Sequence, residues 1–179
     1  GLEQGRLKGC EIEIAAYSNL SRDHLDYHGT LRAYAEAKSE LFKFPTLKVA
    51  IINIDDAHAD LMIAAAKANP AQPKIFSYST TQTADYQVSD IQYSLAGAHF
   101  NLSTASGEWR VQSPLLGHFN IENLLASLIS VEQAGFDLAA LISTVPQLQG
   151  APGRMQVIRD AERLFVVNYA HTPDALTQV

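Results

Sequence analysis

Three short apolar segments, separated by helical stretches, constrain the fold of this chain more than any other feature. Residues 48–55, KVAIINID, form a β-branched run that ends in polar residues, which is typical of a strand buried on both faces. Residues 11–18 (EIEIAAYS) and 74–79 (KIFSYS) predict two further strands. A strand after each helix predicts an α/β domain with a mostly parallel sheet flanked by helices.

Four helices are predicted from periodicity and capping residues. One begins near Thr30, and a second covers residues 57–68 with Asp56 as its N-cap. A third covers residues 121–134, because Ile121, Leu124, Leu125, Leu128 and Val131 share one face and Gly135 follows. Asp137 is predicted to cap a short fourth helix, and beyond these four Thr172 is the predicted N-cap of a further helix, with Pro173 at its first position and Asp174 in its first turn.

Residues 80–114 alternate in polarity and contain Ser106-Gly107 as a hairpin turn, which predicts a small antiparallel sheet attached to the parallel one. Residues 147–153, QLQGAPG, are the predicted domain linker. We therefore expect one domain over residues 1–152 and the first strands of another over residues 153–179.

Composition excludes several classes of protein. Of the 179 residues 47% are hydrophobic and 18% charged, an ordinary globular composition without an apolar run long enough to span a membrane. A net charge of −6 disfavours nucleic-acid binding, and the single Cys10 suggests a reducing, cytoplasmic compartment. Because the chain begins at Gly1 and stops at Val179 inside an apparent helix, we expect a fragment.

Lys38 occupies an unexpected place in the first helix. The face predicted to be buried carries Leu31, Tyr34, Ala35, Lys38, Leu41 and Phe42, and the face predicted to be exposed carries Arg32, Glu36, Ser39, Glu40 and Lys43. An ammonium on the buried face either keeps its charge, by finding a partner or by extending its stem to water, or is desolvated and becomes a nucleophilic amine. In the second case carbon dioxide would convert it to a carbamate, an anion that binds a hard cation.

Other polar residues allow both a chemical and a plain structural interpretation. His24, Asp26 and His28 could form a hydrolase-type metal loop or an ordinary polar loop. Asn120, which precedes the third predicted helix, either caps it or contacts the edge of an adenine ring. Arg154 is either a solvated linker residue or a phosphate contact brought in by domain closure.

Five segments together resemble the ATP-dependent Mur ligases of peptidoglycan assembly, and most closely their MurE type. The longest is SNLSRDHLDYHGTLRAYAEAKSELF at residues 18–42. The others follow in the family's order: LEQGR at 2–6, LLGHFNIENLLA at 115–126, GRMQV at 153–157 and NYAHTPDAL at 168–176. The resemblance covers nearly the whole chain and implies that the first domain is the central, ATP-binding domain of such a ligase and the second its Rossmann-like C-terminal domain.

The resemblance also implies roles for single residues. Lys38 is then carbamylated and acts with His24 as a ligand of Mg²⁺, and Gln4 and Arg6 bind a UDP-muramoyl-peptide. The ATP contacts are Asn120 to adenine, Arg154 from the hinge, and Asn168 and His171 from the NYAHTPDAL segment. Asn168 stands where the family usually carries an aspartate, which leaves its role open.

The implied activity is the addition of a diamino acid to UDP-N-acetylmuramoyl-L-alanyl-D-glutamate through an acyl phosphate. The resemblance favours diaminopimelate over lysine as that diamino acid. We expect a cytoplasmic, monomeric protein that binds neither nucleic acid nor membrane. No GxxxxGK[ST] phosphate loop occurs in these 179 residues, so the chain alone is expected to be inert. Two alternatives stay open: a metal-dependent hydrolase using the His24, Asp26 and His28 loop, and a non-catalytic α/β binding module.

Overall fold

The computed structural model describes residues 5–7, 9–21, 30–160 and 163–170. Within these residues, six strands form one sheet in the order β1 to β6, and two form a separate hairpin. The strands are β1 (Ile14–Tyr17), β2 (Val49–Asn53), β3 (Lys74–Ser79), β4 (Tyr86–Ser94), β5 (Gly97–Thr104), β6 (Gly107–Ser113), β7 (Gln156–Asp160) and β8 (Arg163–Val167). The helices are α1 (Leu31–Ser39), α2 (Ala59–Lys67), α3 (His118–Gln133) and α4 (Leu138–Thr144), with 3₁₀ turns at Glu40–Lys43 and Val145–Gln147.

The parallel half of the sheet consists of β1, β2 and β3, as predicted. All five residues of β2 are buried, because helices cover both faces of the strand. Val49 and Ile51 belong to the hydrophobic core that includes the buried face of α3, whereas Ala50 and Ile52 belong to the core formed with α1 and α2. The alternation of β2 therefore places the central strand between two apolar layers.

The antiparallel half continues the same sheet. β4, β5 and β6 pair in sequence, and a hairpin turn joins β5 to β6. Its two turn residues are Ala105 and Ser106, one position before the predicted pair, because Gly107 already pairs with Thr104 as the first residue of β6. The two halves are joined where β3 and β4 run parallel over two residue pairs, Tyr78 with Tyr86 and Ser79 with Gln87. The mostly parallel sheet with a small antiparallel part is thus confirmed.

Helix α3 begins three residues before the predicted start at Ile121. Its N-cap is Gly117, which has φ 91° and supplies no side-chain cap. A Cβ there would lie 2.8 Å from Cε1 of Phe119, so a glycine suits this entry into the helix. Ile121, Leu124, Leu125 and Leu128 are buried as predicted, but the predicted core residue Val131 is 38% exposed.

The role predicted for Asp56 as a helix cap is wrong. Helix α2 has His58 as its N-cap residue, and Asp56 lies two residues before it. Asp137, in contrast, caps α4 as predicted by accepting a hydrogen bond of 2.8 Å from the Ala140 amide.

The chain after the predicted linker forms the expected pair of strands. β7 and β8 pair antiparallel from Gln156–Val167 to Asp160–Arg163. The division into domains between residues 152 and 153 stays a prediction, and the cap predicted at residues 172–174 lies outside the described residues. None of the helices in the described ranges combines the length and apolar character that crossing a bilayer requires.

Candidate functional site

Lys38 lies near the end of α1, on a face that is only partly buried. Thr30 caps this helix as predicted, because its hydroxyl accepts a hydrogen bond of 3.1 Å from the Ala33 amide. Lys38 itself is half-buried, and its ammonium lies 5.0 Å from the centroid of the Tyr34 ring, within the range of a cation–π contact. The lysine therefore keeps its stem on the protein while the aromatic ring faces the charge.

The faces of α1 differ in part from the prediction. Ala35 and Phe42 are buried as expected, whereas Leu31, Tyr34 and Leu41 are half-buried. Ser39, predicted to be exposed, is buried, and its hydroxyl donates a hydrogen bond of 2.7 Å to the Glu36 carbonyl. That bond removes the cost of burying the hydroxyl group.

The residues predicted to act with Lys38 are described in part. His24, Asp26, His28, Gln4 and His171 lie outside the described residues. Arg6 is described and exposed. Across residues 5–7, 9–21, 30–160 and 163–170, no cluster of three or more His, Cys, Asp or Glu side chains is placed to hold a metal ion. The predicted magnesium ligands stay a prediction.

Asn120 lies inside the first turn of α3, so the prediction that it precedes the helix is wrong. Its side-chain amide donates a hydrogen bond of 2.7 Å from Nδ2 to the carbonyl of Leu116, and its backbone amide donates to the carbonyl of Gly117. The side chain thus folds back on the loop, with its nitrogen directed to the protein.

Arg154 and Asn168 lie at the same end of the β7–β8 hairpin, one before β7 and the other after β8. The guanidinium carbon of Arg154 is 5.7 Å from the centroid of the Tyr169 ring. The Tyr169 amide donates a hydrogen bond of 2.9 Å to the Gly153 carbonyl, which ties the hairpin to the end of the linker. In the described part of the chain, no hydrogen bond or ion pair connects Arg154 or Asn168 to Lys38 or Asn120.

The structure adds a group of polar residues that the sequence analysis missed. They follow β2 and β3 at the carboxyl edge of the sheet, where α3 also begins. Asp55 is the centre of this group. Its Oδ1 accepts hydrogen bonds from the hydroxyls of Ser79 (2.6 Å) and Thr81 (2.5 Å). Its Oδ2 accepts from the amide (2.7 Å) and the hydroxyl (3.0 Å) of Thr80.

Hydrogen bonding decides the ionisation of Asp55. Burial of the carboxyl alone raises its pKa, but the bonds from Ser79, Thr81 and Thr80 together lower the pKa below its ordinary value. Asp55 is therefore a carboxylate at neutral pH.

Asp56 connects β1 to the turn before α2. It accepts hydrogen bonds from the Tyr17 hydroxyl (2.7 Å), the Leu20 amide (2.9 Å) and the His58 amide (2.8 Å). Burial and the bond to this carboxylate both raise the pKa of Tyr17, so the phenol stays protonated. Asp56 thus fixes the chain that leads from β1 to residues 22–29.

The start of α3 is attached to the sheet by two residues that lie one turn apart on the same helix face. Glu122 accepts a hydrogen bond of 3.1 Å from Nδ2 of Asn53, the last residue of β2. One turn earlier, His118 contacts Thr80 through Nε2 (3.0 Å) and the Tyr93 hydroxyl through Nδ1 (2.7 Å). Burial raises the pKa of Glu122, and the bond from Asn53 opposes that rise.

One signal in the sequence could have revealed this group. Polar residues directly follow two predicted parallel strands, as DD after IINI and TT after KIFSYS. In open α/β sheets, ligands bind outside the carboxyl ends of the strands.

Comparison with known proteins places the chain in a family. The model of the Mur ligase middle domain matches residues 1–131. The UDP-N-acetylmuramoyl-L-alanyl-D-glutamate–2,6-diaminopimelate ligase of Pseudomonas aeruginosa is 41% identical over 181 residues, covering 100% of this chain and 36% of that protein. The ligase of the same name from Synechococcus elongatus is 40% identical over 178 residues, 98% of this chain and 35% of that protein.

Solved structures agree. A UDP-N-acetylmuramoyl-L-alanyl-D-glutamate–2,6-diaminopimelate ligase superposes with a TM-score of 0.89 at 73% identity, covering 99% of this chain and 37% of that one. MurF from Acinetobacter baumannii superposes with a TM-score of 0.82 at 26% identity, over 94% of this chain and 36% of that one. The chain thus spans roughly a third of the length of these relatives.

Neither alternative, a metal-dependent hydrolase or a non-catalytic module, gains support from these comparisons. The family match over residues 1–131, the high identity of full-length relatives and the parallel sheet with its antiparallel extension agree with one another. The chain belongs to the Mur ligase family and contains the family's middle domain.

Proposed function

We propose that this chain is the central, ATP-handling part of a ligase that joins diaminopimelate to UDP-N-acetylmuramoyl-L-alanyl-D-glutamate. The observation that carries the proposal is the roughly 40% identity, over nearly the whole chain, to proteins named for that reaction. An L-lysine ligase from Staphylococcus epidermidis is 36% identical over 185 residues. The identity therefore favours diaminopimelate over lysine.

The proposed reaction has two steps. The carboxylate of the muramoyl-peptide attacks the γ-phosphorus of ATP, and ADP leaves, which gives an acyl phosphate. The amine of the diamino acid then attacks the acyl carbon, loses a proton and expels inorganic phosphate, so that an amide bond forms. Catalysis of such steps is mainly positioning and charge stabilisation, which a rigid sheet edge can provide.

Asn120 supplies a reason for adenine recognition. Its Nδ2 is already bonded to the Leu116 carbonyl, so Oδ1 is the part of the amide directed to a ligand. A carbonyl oxygen accepts a hydrogen bond from the exocyclic amine of adenine but repels the 6-oxo group of guanine or hypoxanthine. We expect the site to prefer adenine nucleotides for this reason.

Lys38 is the proposed ligand residue for Mg²⁺, as its carbamate and together with His24. Carbamate oxygens are hard donors of the kind that Mg²⁺ prefers. Lys38 is half-buried, on the helix that follows the segment containing His24 in the sequence, which supports this assignment. When bound, the ion would offset negative charge on the phosphate oxygens. Lys38 itself has a positioning role in this proposal, and Gln4 and Arg6 would hold the UDP-muramoyl-peptide.

The hairpin supplies the remaining proposed nucleotide contacts. Arg154 would bring its guanidinium to a phosphate, and its contact with Tyr169 restricts the side chain before the nucleotide binds. Asn168, at the same end of the hairpin, would donate a hydrogen bond to a ribose hydroxyl. His171 is the fourth proposed ATP contact.

A chimera tests the proposal. The 179 residues replace the corresponding segment of the diaminopimelate ligase that is 73% identical to them, and phosphate release is measured with ATP and UDP-N-acetylmuramoyl-L-alanyl-D-glutamate. We expect release that depends on diaminopimelate, as in the parent ligase, because these residues supply the ATP-handling part. A folded chimera without diaminopimelate-dependent release would refute the proposal.

A further inference from the structure

His118 is held at both ring nitrogens, and the contacts of Thr80 set the direction of the hydrogen bond at Nε2. Asp55 is a carboxylate and can only accept, so the single hydroxyl proton of Thr80 points to Oδ2 of Asp55, 3.0 Å away. The Thr80 oxygen must then accept from Nε2–H of His118, 3.0 Å away. His118 therefore donates to Thr80, and Thr80 donates to Asp55.

The second ring nitrogen follows from the first. In a neutral imidazole with its proton on Nε2, Nδ1 is an acceptor, and the Tyr93 hydroxyl lies 2.7 Å from it. Burial and the negative charge of Glu122 both raise the pKa of Tyr93, so this phenol is a donor at neutral pH. Four residues thus form one directed chain: Tyr93 to His118 to Thr80 to Asp55.

These hydrogen bonds lie at the N-terminus of helix α3, which lacks a side-chain cap. Gly117 has no side chain to accept from the first amides of the helix. His118, the first helical residue, is instead attached to Thr80 beyond the end of β3 and to Tyr93 in β4. Two residues later the same turn carries Asn120, whose side chain reaches back to Leu116.

We propose that His118, in its Nε2–H tautomer, is a positioning residue that holds the first turn of α3 on the sheet edge and thereby sets the place of Asn120. The effect on nucleotide binding rests on the proposed function, because it assumes that Asn120 contacts adenine. The effect of His118 on the position of the turn is independent of the proposed function.

The first measurement is the tautomer of His118, read from the ¹⁵N shifts of the imidazole in the full 179-residue chain. We expect Nε2 to carry the proton and Nδ1 to be the acceptor. Thr80→Val removes the acceptor for Nε2–H, so it should shift the ring toward a mixture of tautomers, whereas Tyr93→Phe should leave the proton on Nε2. An Nδ1–H ring in the unchanged chain would overturn the proposal.

The second measurement is the order of the turn. His118→Phe keeps a planar ring but removes both hydrogen bonds, so the Asn120 side-chain amide signals should shift and hydrogen exchange in this turn should accelerate about threefold to tenfold. His118→Gln can still donate to Thr80 and should recover part of the protection. His99→Phe, on β5, is the matched control and should leave the Asn120 signals unchanged. Unchanged Asn120 signals and exchange in His118→Phe would also overturn the proposal.

The third measurement separates this inference from the proposed function. ADP is titrated into the same variants and into Asn120→Ala. His118→Phe is expected to weaken binding about threefold to tenfold, with recovery in His118→Gln. If the unchanged chain and Asn120→Ala bind ADP equally, the proposed adenine contact fails while the tautomer and exchange results still decide the role of His118. If Asn120→Ala weakens ADP binding and His118→Phe does not, the positioning role is refuted and the adenine contact stands.

Discussion

Replacing Asp55 by asparagine should destabilise the chain through a small, defined change. Asp55 accepts four hydrogen bonds, two at each carboxylate oxygen. Asparagine can keep its oxygen toward the amide and hydroxyl of Thr80, which leaves its nitrogen facing the hydroxyls of Ser79 and Thr81. The Thr81 hydroxyl can rotate and accept, but the Ser79 oxygen already accepts from the amides of Thr81 and Gln82. Both of these side-chain hydrogen bonds are therefore weakened in the variant.

The expected loss follows from the lost charge. Hydrogen bonds to a charged group contribute about 1.5–3 kcal/mol each and neutral ones about 0.5–1.5 kcal/mol, so two weakened bonds cost roughly 2 kcal/mol. For a chain of this size that corresponds to a fall in Tm of roughly 4–8 °C. Urea unfolding followed by circular dichroism measures the free energy directly.

The pH dependence provides a second check with a definite sign. Because the folded-state pKa of Asp55 is lowered, its contribution is complete above the ordinary carboxyl pKa and is lost as the pH falls through the lowered value. The stability difference between the unchanged chain and Asp55→Asn should therefore shrink on acidification.

Asp90→Asn is the matched control for this prediction. Asp90 accepts a hydrogen bond of 2.8 Å from Asn101 on the exposed antiparallel half, and asparagine tolerates its positive φ of 52°. We expect its effect to stay within about 0.5 kcal/mol. An Asp55→Asn loss no larger than that of Asp90→Asn, or one independent of pH, would refute the reasoning.

Three further changes probe α1, α3 and the proposed metal ligand. Thr30→Ala removes the cap of α1 and should cost about 1 kcal/mol in urea unfolding, whereas Thr30→Ser should restore most of it; equal stability of all three would contradict the cap. Gly117→Ala places a Cβ 2.8 Å from the Phe119 ring at φ 91° and should cost about 1–3 kcal/mol, and a neutral result would show that the turn adapts. In the chimera, Lys38→Ala should abolish phosphate release without loss of fold. Partial recovery by added short-chain carboxylates would support a carbamate at Lys38, whereas full activity of the variant would exclude that role.

Local sequence patterns were sufficient to predict the strands and helix caps that depend on interactions between residues close together in the sequence. The strand at residues 74–79 and the caps at Thr30 and Asp137 follow from alternation and from a side chain accepting from an amide three residues away. The start of α3 was missed because Gly117 supplies no side-chain signal. Its anchors, Thr80 and Tyr93, lie 38 and 25 residues away in the chain.

The candidate site was predicted mainly from family resemblance, and the structure corrects it where local packing decides. Ser39 can be buried because its hydroxyl bonds to a carbonyl of its own helix, a contact that hydrophobic periodicity does not predict. Asp56 resembled a cap because polar residues before a helix often are caps, yet its partners Tyr17 and Leu20 come from the β1 side. Such contacts depend on which strands become neighbours, and only the assembled sheet defines that.

The two-pair seam between β3 and β4 has a consequence for the order in which the sheet is built. Strands β4, β5 and β6 are joined by short turns, so their pairing is local in sequence and can form early. Strands β1, β2 and β3 pair only after the helices that connect them have formed. The antiparallel strands should therefore form early and the parallel strands late. The two halves pair only at Tyr78 with Tyr86 and Ser79 with Gln87, so this pairing must wait for the parallel half. We expect the amides of Ser79 and Thr80 to gain protection last during refolding, so that the polar edge matures only when both halves are in place.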